Sequence, residues 1–109
     1  MATQFTVEKT HTTEGQQCQP GNTVQVHYTG KLTNDQVFDS SHNRGKPLEF
    51  QVGAGRVIRG WDEGIPQLRV GEKAVLTCPS DYAYGDGGIP GVIPPKATLI
   101  FEVELVAIV

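Results

Sequence analysis

Two tyrosines, one aspartate and one arginine have side chains and neighbours suited to binding a small polar group. Asp39 directly follows Phe38, and Arg44 lies five positions further on, beyond a turn. Tyr28 and Tyr84 carry hydroxyls that need hydrogen-bond partners if they are buried. Each charge taken singly has surface solvation as its default state. The alternative is an apolar hollow edged by two phenols and one carboxylate, which is the general plan of a ligand pocket.

The motifs of covalent and nucleotide chemistry do not occur in the sequence. It has neither a G-x-S-x-G nucleophile motif nor a phosphate-binding G-x-x-x-x-G-K-[ST] loop. Gly53-Ala54-Gly55 begins like a dinucleotide-binding loop, but Ile58 stands where the third glycine is needed. Ser40 and Ser41 beside His42 do not make a catalytic relay, because such relays depend on geometry rather than adjacency. We therefore expect neither a nucleophile nor a cofactor.

The histidines and cysteines show no metal-ligand spacing. His11, His27 and His42 are unrelated in spacing to each other and to the cysteines, so we expect no metal. Cys18 and Cys78, 60 positions apart, are interpreted as free thiols in a reducing compartment, with Cys78 filling core space. A disulfide between them is the alternative that the sequence leaves open.

Length and composition predict one domain, residues 1–109. Hydrophobic residues make up 38% of the chain and charged residues 19%, which favours a packed core over disorder. A net charge of −3 without any basic run argues against a nucleic-acid or membrane partner. No secretory signal and no membrane-spanning stretch is recognised, so a cytoplasmic protein is expected.

Alternating apolar and polar residues predict the strands of a half-buried sheet. The stretches that carry strand signals are residues 5–10, 24–28, 37–39, 48–52, 72–78 and 99–109. In the last of these, Leu99, Phe101, Val103 and Leu105 share one side, which predicts the longest strand and a central one. Strands with one solvent-exposed and one apolar face, joined by short turns, indicate an antiparallel sheet.

One short helix is predicted around the only tryptophan. Four apolar residues recur at helical spacing, namely Val57, Ile58, Trp61 and Ile65. Gly60 and Gly64 each weaken a helix interior by about 1 kcal/mol, and Pro66 ends it. Such a helix persists only when tertiary packing supports it, so we expect a sheet to enclose it. The fold class is therefore α+β, with two layers.

A long loop follows the fifth predicted strand. Residues 80–95 are rich in Gly and Pro and have few helix or strand signals. Loops of this length are uncommon in compact domains and are more often functional than idle. The loop also carries Tyr82 and Tyr84, two of the aromatic residues that are spread over strands, helix and loop.

Six motifs in collinear order resemble one family, the FKBP-type peptidyl-prolyl cis/trans isomerases, which are the tacrolimus- and rapamycin-binding immunophilins. The motifs are VHYTG at 26–30, VFDSS at 37–41, VIRGWDEG at 57–64, DYAYG at 81–85, IPP at 93–95 and LIFEVEL at 99–105. The resemblance runs from about Phe5 to the C-terminus and leaves no further domain.

The resemblance implies a twisted antiparallel sheet of about five strands wrapped around one short helix, with the pocket between them. By position, it assigns catalysis to Tyr28, Phe38, Asp39, Ile58, Trp61, Tyr84 and Phe101. It assigns substrate or drug binding to these seven and also to Arg44, Leu48, Arg56, Val57, Ile89, Val92 and Ile93.

The implied roles divide the site into an apolar floor and a polar edge. Trp61 would form the floor, while the Ile58 N–H and the Tyr84 hydroxyl would bind ligand carbonyls. Asp39 would accept a macrolide hydroxyl, and Tyr28 and Arg44 would orient its carboxylate. Ile89 and Val92, in the long loop, would close the lip, and Ile93 would be a wall residue.

The chain departs from the commonest family pattern at a few positions. Leu48 stands where an aromatic wall residue is frequent, and Arg56 where Glu or Gln is frequent. Ile89 replaces a frequent His, and Asp86-Gly87-Gly88 alters the loop before it. These differences bear on substrate preference and on the surface of a drug complex more than on activity.

The resemblance implies an enzyme that speeds rotation of X–Pro peptide bonds and acts as the receptor of tacrolimus and rapamycin. Its implied partners are X–Pro segments of proteins and, in drug complexes, calcineurin and the TOR kinase. Two alternatives stay open. One is a binding module that regulates partners through the same pocket and the loop Ser80–Pro95, and the other is a purely structural domain.

Overall fold

The computed structural model describes residues 4–109, which form one antiparallel sheet and one short helix. The strands are β1 (Thr6–His11), β2 (Thr23–Leu32), β3 (Val37–Ser40), β4 (Leu48–Gln51), β5 (Lys73–Cys78) and β6 (Leu99–Ile108). The helix, α1, spans Arg59–Gly64 between β4 and β5. The α+β class and the position of the helix after the fourth strand are confirmed, with six strands where about five were expected.

The sheet has the order β1-β5-β6-β2-β3, so β6 is central as predicted. All described pairings are antiparallel. The short strand β4 pairs with Thr23–Val26, the first half of β2, whereas β3 pairs with Thr29–Lys31 in its second half. The two short strands therefore follow one another along the same edge of β2.

The apolar faces of the strands meet in one core. In β6 the predicted inner residues Leu99, Phe101, Val103 and Leu105 are all buried, and Glu102 between them is exposed. Cys78 of β5 and Cys18 are buried free thiols, which agrees with the favoured interpretation of the cysteines. Within residues 4–109, no helix has the length and apolarity needed to cross a membrane.

Helix α1 starts later than the apolar spacing predicted. Ile58 is extended (φ −60°, ψ 155°) and precedes the first helical residue, so Val57 and Ile58 lie outside the helix. The prediction failed here because residues of an extended segment packed against the core continue the apolar pattern of the helix. Trp61 in the helix and Ile65, which directly follows it, are both buried as predicted.

The two helix glycines allow α1 to approach the sheet closely. A Cβ added at Gly60 would collide with Cys78 Sγ and lie 3.2 Å from the Tyr82 carbonyl oxygen. A Cβ at Gly64 would lie 3.2 Å from Leu76 Cδ1. The residues that make the helix intrinsically weak are therefore the ones that let it pack on β5, which supports the expected enclosure by the sheet.

The loop 80–95 contains a short 3₁₀ turn, Ser80–Tyr82, and a tight reversal between Ile89 and Ile93. In the reversal, the Ile89 N–H donates to the Ile93 carbonyl over 2.9 Å, and the Ile93 N–H donates back over 2.8 Å. A further bond from the Lys96 N–H to the Gly85 carbonyl ties the two ends of the loop together. The loop is thus held by its own backbone hydrogen bonds and by the packing of Ile89 and Ile93 on the core.

Candidate functional site

A hollow of about 150 Å³ opens between α1 and the concave side of the sheet. Every layer of the fold contributes to its wall: β2, β3, β4 and β6, the segment before α1, α1 itself and the long loop. The lining residues are Tyr28, Phe38, Asp39, Leu48, Arg56, Val57, Ile58, Trp61, Tyr84 and Phe101. All ten are among the residues that the resemblance assigned to the site, although Leu48 and Arg56 lie outside the six motifs.

Aromatic rings form the apolar part of the hollow. The Trp61 indole makes edge contacts with Tyr28 (ring centroids 4.8 Å apart, 76° between planes) and with Phe101 (5.4 Å, 83°). Phe38 meets Phe101 edge-on at 5.7 Å. Edge-to-face pairs of this kind contribute interaction energy in addition to that of burying apolar surface, and they favour one relative orientation of the rings. The rings therefore form a rigid cup rather than a collection of mobile side chains.

The indole of Trp61 is itself almost fully covered. Only 3% of the residue is exposed, and among the described residues its Nε1–H has no hydrogen-bond partner. Phe50 of β4 packs on Trp61 from the core side, with centroids 5.7 Å apart. The sequence analysis did not single out Phe50, although the alternation Leu48, Phe50, Val52 puts it on the same face as the hollow residue Leu48.

Tyr28, Asp39 and Arg44 form the polar edge of the hollow. The Tyr28 hydroxyl donates to Asp39 Oδ2 over 2.6 Å and accepts from Arg44 Nη2 over 2.8 Å. Arg44 Nη1 also donates to Asp39 Oδ1 over 3.2 Å. Burial, followed by the hydrogen bond to Asp39, raises the pKa of Tyr28. The phenol therefore stays protonated at neutral pH and holds the carboxylate in one orientation.

Ser41 anchors the Tyr28 backbone from outside the hollow. Its Oγ accepts from the Tyr28 N–H over 2.8 Å and also lies 2.8 Å from His27 Nδ1. Such a serine–histidine contact is a feature of nucleophilic sites. Ser41 is nevertheless fully buried and lies outside the hollow, so a substrate cannot reach its oxygen. Sequence reasoning rejected Ser41 as a nucleophile but did not foresee this positioning contact.

Two groups at the hollow are available to a ligand. The Ile58 N–H makes no hydrogen bond to the backbone of another described residue, and Ile58 lines the hollow just before α1. Tyr84 is 41% exposed, and its hydroxyl donates to no other residue in 4–109. Partial burial and then the negative charge of Asp39 raise the pKa of Tyr84, so its proton is retained for donation.

Four residues expected at the site lie outside the wall of the hollow. Arg44 touches it only through Tyr28 and Asp39, as described above. Ile93 is buried in the hydrophobic core, with 3% exposed, and Ile89 is partly buried against that core. Val92 is half exposed and, with Ile93, borders a separate shallow depression next to Leu32 and Gln36.

Arg56 and Leu48, which the sequence analysis noted as departures from the resembled pattern, both line the hollow. The loop before Arg56 is tethered to α1, because the Asp62 carboxylate accepts from the Gly53 N–H over 2.9 Å and from the Gly55 N–H over 3.1 Å. The side chain of Arg56 is exposed at the mouth. The mouth therefore carries a positive charge on a fixed backbone.

Comparisons with known proteins agree on one family. The sequence model described as FKBP-type peptidyl-prolyl cis-trans isomerase matches residues 14–106. FK506-binding protein 1 of Kluyveromyces lactis is 60% identical over 89 residues, which cover 82% of this chain and 78% of that protein. A peptidyl-prolyl cis-trans isomerase of Schizosaccharomyces pombe is 56% identical, covering 82% and 80% respectively. The crystal structure of AtFKBP13 superimposes with a TM-score of 0.90 at 39% identity, covering 96% of this chain and 93% of that one.

Proposed function

The chain belongs to the FKBP-type peptidyl-prolyl cis-trans isomerases. On that premise we propose that it isomerises X–Pro peptide bonds in the hollow above Trp61, where it also binds FK506 (tacrolimus) and rapamycin. The isomerase activity itself follows from the family. The choice of site rests on an open aromatic cup that has two free donors at its edge. These donors are the Ile58 N–H and the Tyr84 hydroxyl.

Rotation about an X–Pro bond has a barrier of about 18–20 kcal/mol, because the amide loses its resonance when it is twisted. The planar amide is more charge-separated than the twisted one. A dry aromatic cup therefore disfavours the planar ground state more than the transition state, which is the differential binding that catalysis requires. In this proposal the proline ring rests on Trp61, and the Ile58 N–H holds a flanking carbonyl, which adds orientation.

The polar edge gives a macrolide its second point of attachment. Asp39 accepts a ligand hydroxyl, while Tyr28 and Arg44 keep its carboxylate in place through the hydrogen bonds described above. Tyr84 donates to a ligand carbonyl. Because no bond to carbon is made or broken, the reaction needs no nucleophile, metal or cofactor.

Isomerisation of a peptide containing Leu-Pro, with and without stoichiometric rapamycin, tests the proposed site. We expect acceleration that rapamycin abolishes, and a change in the emission of Trp61, the only tryptophan, when FK506 is added. Tyr84→Phe should weaken FK506 binding about two- to tenfold, the usual effect of losing one hydrogen bond. Tyr82→Phe is the matched control, because it removes a phenol hydroxyl that lies outside the hollow. The proposed site would be wrong if both variants bound FK506 with equal affinity, or if Trp61 emission did not change when FK506 was added.

A second candidate function is a binding module in which catalysis is incidental. Its support is the exposed apolar surface around Val92, on a loop ordered by its own hydrogen bonds. In drug complexes this surface would meet calcineurin or the TOR kinase, as the resemblance implies. Asp39→Val and Phe38→Tyr separate the two functions, since partner binding that survives a loss of turnover favours docking.

The proposal includes a cytoplasmic location. Cys18 and Cys78 are both free and buried, which suits a reducing compartment. A fluorescent fusion of the full chain expressed in its own host tests this, and a signal confined to secretory organelles would overturn it.

A further inference from the structure

Of the three arginines that line or adjoin the hollow, two form ion pairs within residues 4–109. Arg44 is matched by Asp39, whose Oδ1 lies 3.2 Å from Arg44 Nη1. Arg59, next to the hollow at the start of α1, is matched by Glu63. Arg56 lines the hollow and forms no ion pair with any carboxylate in residues 4–109.

We propose that Arg56 selects substrates that carry an acidic side chain beside the X–Pro bond. The inference rests on the proposed function, because it needs the X–Pro segment to enter the hollow. It assigns to this chain a preference among proline-containing segments: those with Asp or Glu adjacent to the X–Pro pair are favoured over those with Lys or Arg.

The backbone fixes where the Arg56 charge can reach. Asp62 holds Gly53 and Gly55 through the hydrogen bonds described above, and Asp62 belongs to the helix that also carries Trp61. Gly55, directly before Arg56, adopts φ +71°, a left-handed conformation that glycine takes without strain. The backbone of Arg56 is therefore held at a fixed position relative to the Trp61 indole, on which the proline ring rests.

A preference for acidic segments has to come from the local charge at the mouth, because the charge of the whole chain acts against it. The whole chain has a net charge of −3, which repels acidic peptides at long range, so an acidic segment is attracted only where a local cation stands unmatched. The carboxylate at the hollow, Asp39, already has Arg44 as its partner. A substrate carboxylate can form a bidentate ion pair with the Arg56 guanidinium, whereas a substrate lysine is repelled by it.

The test compares peptides in a Leu-Pro frame that carry Glu, Gln or Lys either one residue before the leucine or directly after the proline. Their kcat/KM values are measured by protease-free exchange NMR for the wild-type chain, Arg56→Gln and Arg56→Glu. At the favoured position, the wild-type chain should prefer Glu over Lys about two- to fivefold at low salt, the range of an exposed ion pair. Arg56→Gln should bring the Glu:Lys ratio to about one, and Arg56→Glu should invert it.

The double variant Arg59→Gln/Glu63→Gln is the matched control, since it removes the neighbouring guanidinium together with its partner, outside the hollow. It should keep the wild-type ratio. In about 0.5 M NaCl the wild-type preference should shrink, because exposed charges are screened. Neither the salt effect nor the inversion is expected of a residue that only shapes the loop.

The outcomes separate this inference from the proposed function. If the neutral Gln peptide is not isomerised by the wild-type chain, the proposed function fails. If that peptide is isomerised but the Glu:Lys ratio is the same in the wild-type chain and Arg56→Glu at both positions, the selectivity inference alone is overturned.

Discussion

A residue without a side chain, Gly30 in β2, determines how two aromatic rings meet in the wall of the hollow. A Cβ added at Gly30 would lie 2.6 Å from Phe38 Cζ and 2.9 Å from Phe101 Cε1. Both distances are shorter than carbon atoms tolerate, so both rings, or the strand itself, would have to move. The edge-to-face contact of Phe38 with Phe101 therefore depends on the absence of a side chain at position 30.

Gly30→Ala should reduce turnover and macrolide affinity together and destabilise the fold by about 1–3 kcal/mol, the usual cost of one extra methyl in a packed site. Isomerase assays, FK506 titration and urea unfolding measure the three effects. Gly87→Ala is the control, because a Cβ there meets nothing within 4 Å. A Gly30→Ala enzyme with wild-type kcat/KM would show that the two rings do not need their present positions.

At the residue scale, the sequence pattern identifies side chains that face inward but not which of them border a void. Ile58 and Ile93 are both apolar residues in connecting segments, yet Ile58 lines the hollow and Ile93 is buried in the core. Phe50 shares a face of β4 with Leu48, but only Leu48 reaches the hollow, while Phe50 packs on Trp61 from the core side. The difference depends on tertiary packing, which spacing along one chain does not contain.

At the scale of elements, helix α1 and strand β5 form one closely packed unit. Gly60 faces Cys78, and the thiol of Cys78 is so deeply buried that its pKa is raised to about 12. The sequence predicted that this helix needs support from a sheet, because its glycines are poor helix formers. It could not predict the start of the helix, since the extended residues Val57 and Ile58 continue the apolar pattern.

Gly60→Ala should destabilise the protein even though alanine favours helices by about 1 kcal/mol over glycine. The new methyl collides with the Cys78 sulfur, and the helix must shift away from β5, taking Trp61 with it. Urea unfolding should show a net loss of about 1–3 kcal/mol, with reduced isomerase activity.

A second substitution on the facing strand tests this cause. In a Cys78→Ala background the sulfur is gone, so Gly60→Ala should cost at least about 1 kcal/mol less, the coupling expected between residues in contact. Additive effects of the two substitutions would contradict the collision.

At the scale of the whole molecule, the carboxylate of Glu72 joins parts of the chain that are distant in sequence. It accepts from the Thr13 N–H and the Arg69 N–H, each over 2.9 Å, and pairs with Lys9 Nζ at 2.9 Å. Only 2% of the residue is exposed. The two backbone N–H groups, followed by Lys9, lower the pKa of Glu72 from 4.5 to about 2.

The lowered pKa predicts how acid affects stability. Because the folded state prefers ionised Glu72, its contribution is complete above pH 4.5 and is lost as the pH falls towards 2. At neutral pH, Glu72→Gln should cost about 2–3 kcal/mol, the range for hydrogen bonds to a charged group. The difference in unfolding free energy between Glu72→Gln and the wild-type chain should become smaller as the pH falls from 4.5 towards 2. Urea unfolding at several pH values checks this, with the exposed Glu63→Gln as the control, and a difference independent of pH would refute it.

The central position of β6 has a consequence for biosynthesis. Strands β5 and β2 do not pair with each other, and each pairs with β6, which is formed by residues 99–108 and contributes Phe101 to the hollow. A ribosome that has released residues 1–98 therefore presents two sheet fragments with nothing between them and an incomplete cup. This peptidyl-prolyl isomerase must therefore wait, as a nascent chain, for strand β6 before its sheet and its hollow are complete.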